Sequence, residues 1–282
     1  MRRPLMLTAA AVLLCAACST ADSDHSDKPD SPDKPVTASS SSPSSAPSSN
    51  PSSDPGSAVR AAVAGLREDS AGFRQEIELE GEGKVYGLTV TGDFDFAADK
   101  GHLAVDLPGG AIDHSDQVFA GDKIYVSGVQ GIDEDAWGVM PRDEAEAHYL
   151  LRAPLNDPEH VLRQIAALRT VSREGEEKVG GVRAVRYRGV LDHRTVTLRM
   201  APDVREKMDW TRDTLGADLP VFADAWVDGR GRLVQTRMEA IMSGARVTVT
   251  MTLSNIGEPV HVTVPQSADT VPVTQFTGIL SG

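Results

Sequence analysis

The stretch VYGLTVTGDFDF, residues 85–96, decides the architecture. Tyr86, Leu88, Val90, Phe94 and Phe96 fall on one face of an extended chain, and Thr89, Thr91, Asp93 and Asp95 on the other. A period of two with a single apolar side marks a strand in an antiparallel sheet that is buried on one face and wet on the other. The alternation returns far along the chain. In RVTVTMTLS (246–254), Val247, Val249, Met251 and Leu253 alternate with threonines, and in VHVTV (260–264), Val260, Val262 and Val264 alternate with His261 and Thr263. Weaker strands are read in GHLAVDL (101–107), KIYVSG (123–128), AWGVM (136–140), VRAVRYRGVL (182–191), TVTLRM (195–200) and FADAWVDGRGRLVQTRME (222–239). In the last of these, Asp228-Gly229-Arg230-Gly231 signals a hairpin, because glycine supplies the positive φ such turns need.

Helices punctuate the strands. Val59, Val63 and Leu66 recur at helical spacing with Ser57 placed to cap them. DPEHVLRQIAALRTV (157–171) has Asp157 as a cap, Pro158 in the first turn and Glu159 at the positive end of the dipole. Val161, Ile165 and Leu168 form its apolar stripe, with Leu162 beside it. PDVREKMDWTRDTLG (202–216) places Val204, Met208 and Leu215 on one side and ends at Gly216, which suits a surface helix. The class is α+β. A long sheet with one apolar face must be covered. The few short helices either plug that face completely or leave an apolar cavity, and both options stay open at this level.

The N-terminus carries a different signal. Arg2 and Arg3 precede the uncharged run PLMLTAAAVLLCAA, residues 4–17. A positive start, a short apolar run and small residues before a cut describe a secretory leader, and the run is too short to span a bilayer as a mature helix. Both cysteines of the chain, Cys15 and Cys18, lie here. Their CxxC spacing also occurs in redox pairs and zinc half-sites, but those need a folded context or further ligands, and no other cysteine exists. Cys15-Ala16-Ala17-Cys18 resembles the lipobox of bacterial lipoproteins, with Cys15 where leucine is usual. That resemblance implies a lipid thioether on Cys18 and cleavage just before it. The division is then a signal peptide over 1–17, a lipidated N-terminus and tether over 18–57, and a folded domain over 58–282.

The tether is rich in serine and proline and almost free of apolar residues. Such a segment cannot bury enough surface to offset its ordering entropy and is expected to be disordered. Fully extended it would reach on the order of 120 Å. The net charge of −13 becomes more negative when Arg2 and Arg3 leave. That disfavours nucleic acid, whose phosphates need Lys and Arg, and flat electrostatic adsorption to an anionic leaflet.

The order of helix, long β-meander, helix, strands, charged helix and strands resembles the LppX/LprA/LprF/LprG group of bacterial lipoproteins, which share the LolA-like half-barrel. The blocks that carry the resemblance are the lipobox at Cys18, Asp135-Ala136-Trp137, the 157–171 helix, the strand from Gly180 to Val190 and the hairpin from Ala225 to Val234. It covers roughly residues 58–265 and rests on order and spacing. It implies a strongly curved antiparallel sheet with a few helices on the concave side, preceded by the disordered tether. It also implies an apolar pocket for acyl chains, no catalytic residues, no cofactor and no metal. The residues expected to line that pocket are Leu88, Val90, Phe94, Val105, Ile165, Leu168, Val249 and Met251.

Other clusters have plainer roles open to them. His114 in DHSD (113–116) sits among Asp113, Ser115 and Asp116, but neighbours in sequence seldom converge as a triad, so a solvated loop is expected. Asp133-Glu134-Asp135 lacks the spaced ligands of a calcium loop and reads as an acidic turn. Arg183, Arg186, Arg188, Arg194 and Arg199 form either a solvated strand face or a patch for acidic headgroups. Trp210 is the tryptophan expected to touch a ligand or a membrane. The chain is therefore expected to be anchored to the outer face of the cytoplasmic membrane through Cys18. There it either binds or carries acyl lipid or glycolipid, or serves as a non-catalytic sensor with a filled core and an envelope protein as partner.

Overall fold

Twelve strands join in one sheet, and the chain enters it from a helix. The computed structural model describes residues 54–110, 112–242 and 244–276. The leader, Cys18 and the tether up to residue 53 lie outside the described residues. The elements run α1 (Pro55–Arg67), β1 (Ser70–Gly81), β2 (Lys84–Asp95), β3 (Lys100–Asp106), β4 (His114–Ala120), β5 (Lys123–Ser127) and β6 (Trp137–Pro141). They continue with α2 (Pro158–Ala166), β7 (Arg169–Val179), β8 (Val182–Leu191), α3 (His193–Val196), α4 (Pro202–Leu215), β9 (Val221–Asp228), β10 (Leu233–Met242), β11 (Ala245–Ser254) and β12 (Thr270–Pro272). The sheet order is β12-β6-β5-β4-β3-β2-β1-β11-β10-β9-β8-β7, open at both edges. All neighbours are antiparallel except β12, which pairs parallel with β6 and makes the sheet mixed.

The sheet must be curled. Strands sit about 4.8 Å apart, so twelve of them laid flat would span on the order of 50 Å. Yet Met140 of β6, Val90 of β2, Met251 of β11 and Val221 of β9 share one apolar core with Val63 of α1 and Ile165 of α2. Only a rolled sheet brings such distant strands over so few helices. Close packing of the backbone helps. A Cβ on Gly92 would lie 2.2 Å from the His102 carbonyl oxygen, and one on Gly101 would lie 2.3 Å from the Phe94 ring, which covers that glycine. Helices α1 and α2 pack on each other, and α1 also contacts β7, β9, β10 and β1. Together they cover the half of the inner face nearest the β7 edge.

Several sequence expectations need correction. The cap of α1 is Asp54, not Ser57: its carboxylate accepts from the backbone N–H groups of Gly56 and Ser57, and Pro55 fills the first helical position. Helix α2 stops at Ala166 rather than running to 171, because Arg169 onward pairs with β8. TVTLRM is no strand. The Asp192 carboxylate accepts from both the N–H and hydroxyl of Thr195, at 2.9 and 2.6 Å, and this local bonding turns the chain into the short helix α3. VHVTV forms no ladder, since the flanks of the preceding β11 are already taken by β1 and β10. On α4, Met208 is buried as expected, but Leu215 is 60% exposed. Strands β1, β4, β7 and β12 were not anticipated.

Candidate functional site

Inner-face residues of the sheet outrun their cover at one end. Ile77 of β1 lies opposite Leu88 of β2 and Val249 of β11, and Leu79 lies opposite Tyr86 and Val247. These pairs share the inner face by alternation. The first set is buried. In the second, Leu79 is 43% and Tyr86 58% exposed, so the apolar face continues past the core into an open mouth. A cavity of about 230 Å³ lies there, lined by Ile77, Leu79, Tyr86, Gly87, Leu88, Leu107, Tyr149, Leu150, Arg152 and Val247.

Tyr149, Leu150 and Arg152 belong to a strap between β6 and α2, residues 142–157, that crosses this end of the sheet. Two arginines hold it down. Arg142 donates from Nε and Nη2 to the two oxygens of Asp157, at 2.9 and 2.8 Å, and from Nη1 to Asp99. Asp157 also caps α2, accepting from the Glu159 N–H at 3.0 Å. The Arg142 guanidinium lies 5.5 and 5.1 Å from the Phe94 and Phe119 ring centres. These carboxylates raise the Arg142 pKa against the opposing effect of its burial. Arg199 donates to the carbonyl oxygens of Arg142 and Ala145, and Ala147 bridges to Met200. The strap holds three non-glycine residues in the left-handed region: Leu151 at φ 61°, Leu155 at 45° and Asn156 at 59°. Such conformations cost of order 1–3 kcal/mol each and persist where surrounding contacts over-determine them, as at binding sites.

Among the described residues Arg152 is the one charged residue in the cavity wall, and it is only 5% exposed. Its Nη2 donates to Asn156 Oδ1 at 2.7 Å, and Asn156 Nδ2 donates to Gln117 Oε1 at 3.2 Å. Among the described residues no carboxylate pairs with it, and its Nε has no hydrogen-bond partner. Burial pushes its pKa down to about 10, which leaves it charged at neutral pH. The Gln117 Nε2 and both amide atoms of Gln75, all buried, also lack partners among the described residues. Sequence reasoning passed over Arg152, because an isolated arginine reads as solvated until the chain that covers it is known.

The eight residues expected to line a pocket all lie in the one core. Leu88 reaches the cavity wall. Val90, Phe94, Val105, Ile165, Leu168, Val249 and Met251 lie in the core outside that wall. DHSD is not a loop. Strand β4 starts at His114, and alternation sends His114 and Asp116 to the outer face and Ser115 to the inner one. The Ser115 hydroxyl donates to the Ser127 carbonyl at 2.8 Å, on the other side of the sheet from the imidazole. His114 pairs with Asp106 at 2.7 Å, a contact that raises its pKa. Residues 133–136 form a turn, closed by the Ala136 N–H on the Asp133 carbonyl.

The arginine patch is largely neutralised. Arg186 and Arg188 share Asp224, Arg183 reaches Glu176, and Arg199 turns into the strap. Trp210 is 69% exposed on α4. A larger groove of about 760 Å³, of mixed lining, lies on the outer face, where Asp93, His102 and Asp116 meet the segment carrying Glu258 and His261. Among the described residues no group of three or more His, Cys, Asp and Glu is placed to hold a metal ion, and no helix is long and apolar enough to cross a membrane.

The chain is similar to several solved structures. LprF from Mycobacterium bovis is 15% identical with a TM-score of 0.45, over 77% of this chain and 98% of that one. The Mycobacterium tuberculosis lipoprotein LppX is 15% identical with a TM-score of 0.47, over 74% and 97%. A LolA superfamily protein from Nitrosomonas europaea is 11% identical with a TM-score of 0.31, over 77% and 97%. No protein-family model and no curated protein matches the chain.

Proposed function

We propose that the chain is a membrane-anchored lipoprotein of the cell envelope that binds acyl lipid between the inner face of its sheet and the strap. The observation that carries this reading is the uncovered apolar face: Leu79, Tyr86 and Val247 continue the core outward, with Tyr149 of the strap beside them. Apolar surface left in water costs about 25 cal/mol per Å², so a hydrocarbon chain laid there gains what the fold itself leaves unused. Cys18, lipidated, holds the domain at the outer face of the cytoplasmic membrane, and the Ser/Pro-rich tether lets it reach its cargo. Arg142, Asp157 and Arg199 set how far the strap can lift. A lifted strap opens the way from Leu88 toward Val90, Phe94, Val105, Val249 and Met251, with Ile165 and Leu168 on the helix side, and so admits longer chains. The role is binding and exchange, with no bond made or broken.

Native mass spectrometry of the full chain carrying Cys18→Ser, purified without detergent and then extracted with solvent, tests the reading. The expected result is a bound mass that releases acyl lipid. A clean apo mass, unchanged on adding long-chain lipids, overturns it. The alternative is then an envelope sensor that docks a protein. Helix α4 favours that role, since it exposes Trp210 and Leu215 and buries only Met208.

A further inference from the structure

Within the acyl-lipid reading above, on which this step rests, the unpaired arginine identifies the ligand's head. We propose that Arg152 anchors an anion and that the cavity's preferred occupant is a single-chain carboxylate amphiphile, a fatty acid, seated with its carboxylate inward at Arg152 and its chain running out past Tyr86 and Leu79.

A charge taken out of water needs a partner. Breaking a buried pair by removing one member is strongly destabilising, because the remaining charge stays uncompensated. Arg152 stands in that position: it is 5% exposed and bonded to the neutral Asn156 through Nη2, with Nε unpartnered among the described residues. A monoanion with two oxygens is what a guanidinium edge binds bidentately.

The wall selects further. Among the described residues Arg152 is its only charged one, so a dianionic phosphate would bring surplus negative charge against Leu88, Leu107 and Leu150. The volume of about 230 Å³ lies below the ~300–1,000 Å³ usual for drug-sized ligands, which favours one chain over the two or three of a membrane lipid. Orientation follows from exposure. Arg152 lies at the buried end, while Tyr86, Tyr149 and Leu79, 43–58% exposed, form the rim. The left-handed φ of Leu151 and Asn156, on either side of Arg152 in the strap, fits a segment bent to aim this side chain inward.

The test compares two ligands of equal chain length, palmitate and 1-hexadecanol, by isothermal titration into the delipidated full chain below their aggregation concentrations. The expected result is palmitate binding about tenfold or more tighter than the alcohol, the range of a charge-assisted hydrogen bond. Arg152→Met should lose that preference while keeping its affinity for hexadecanol within about threefold, and Arg152→Lys should fall between. Equal binding of the two ligands by the unmodified chain overturns the anchor and leaves the acyl-lipid reading standing. Binding of neither overturns both. The ligand comparison on the unmodified chain needs no variant to fold, and melting curves of Arg152→Met with and without palmitate give a second readout.

Discussion

The Arg142–Asp157 pair makes a prediction that can be worked through in numbers. Asp157 is 2% exposed and does two jobs: it takes two nitrogens of a buried arginine and it caps α2. Substitution can separate them. Asn keeps a good cap but removes the charge, whereas Ala removes both. Asp157→Asn leaves the Arg142 cation with only the half-exposed Asp99, so the loss should approach the ~3–5 kcal/mol of a broken buried pair. Asp157→Ala should lose about 1 kcal/mol more, the worth of the cap. The double variant Arg142→Met with Asp157→Asn removes the more buried of the two cations that face Asp157, Arg199 lying 3.8 Å from it, and leaves an apolar side chain against Phe94 and Phe119. It should recover to within about 2 kcal/mol of the parent, so that the two single losses are far from additive. Urea unfolding of the parent, Asp157→Asn, Asp157→Ala, Arg142→Met and the double variant, read as shifts in midpoint at constant slope, measures all five proteins and closes the cycle. Asp157→Ala within about 0.5 kcal/mol of the parent would refute the reasoning. So would a double variant as unstable as the sum of the single ones, because the strap would then be held by something other than this pair.

His160 on α2 is 2% exposed, and burial lowers its pKa to about 4, against ~6.5 unfolded. The unfolded state therefore takes up a proton that the folded state refuses, and stability should fall by about 3 kcal/mol as pH drops from ~6.5 to ~4. His160→Gln should flatten that limb of the stability–pH curve measured in urea. Gly101→Ala puts a methyl group 2.3 Å from the Phe94 ring, and its unfolding free energy, read from the urea midpoint at constant slope, should drop by about 1–3 kcal/mol through overpacking. Cys18→Ser should remove the lipid and move the protein from the membrane to the soluble fraction, which fractionation and intact mass read directly; a variant still acylated and membrane-bound would contradict the lipobox reading.

The strands most plainly legible in advance are those where burial is one-sided. In β2, Leu88, Val90 and Phe94, and in β11, Val249, Met251 and Leu253, meet the core, so selection for burial writes a period of two into those stretches. Strand β7 was missed because it is an edge strand without one fully buried residue, so nothing distinguishes its faces. Strand β1 was missed because Gln75, fully buried, interrupts the apolar row of Phe73, Ile77 and Leu79. The alternation of VHVTV misled for the opposite reason: strand propensity needs a vacant sheet edge, and β11 had none to offer.

By itself the sequence determined the one-sided sheet, the stripes of Val59, Val63 and Leu66 and of Val161 and Ile165, and the Asp157 cap. These are written in local order, within the reach of a strand pleat or a helical turn. Only the tertiary structure decided that the inner face stays open at Leu79 and Tyr86, that the strap crosses there, and that Arg152 is buried on it without a counter-charge among the described residues. Arg152 lies more than sixty residues along the chain from Tyr86 and nearly a hundred before Val247. The burial of a charge depends on what long-range packing lays over it, and no local period records that.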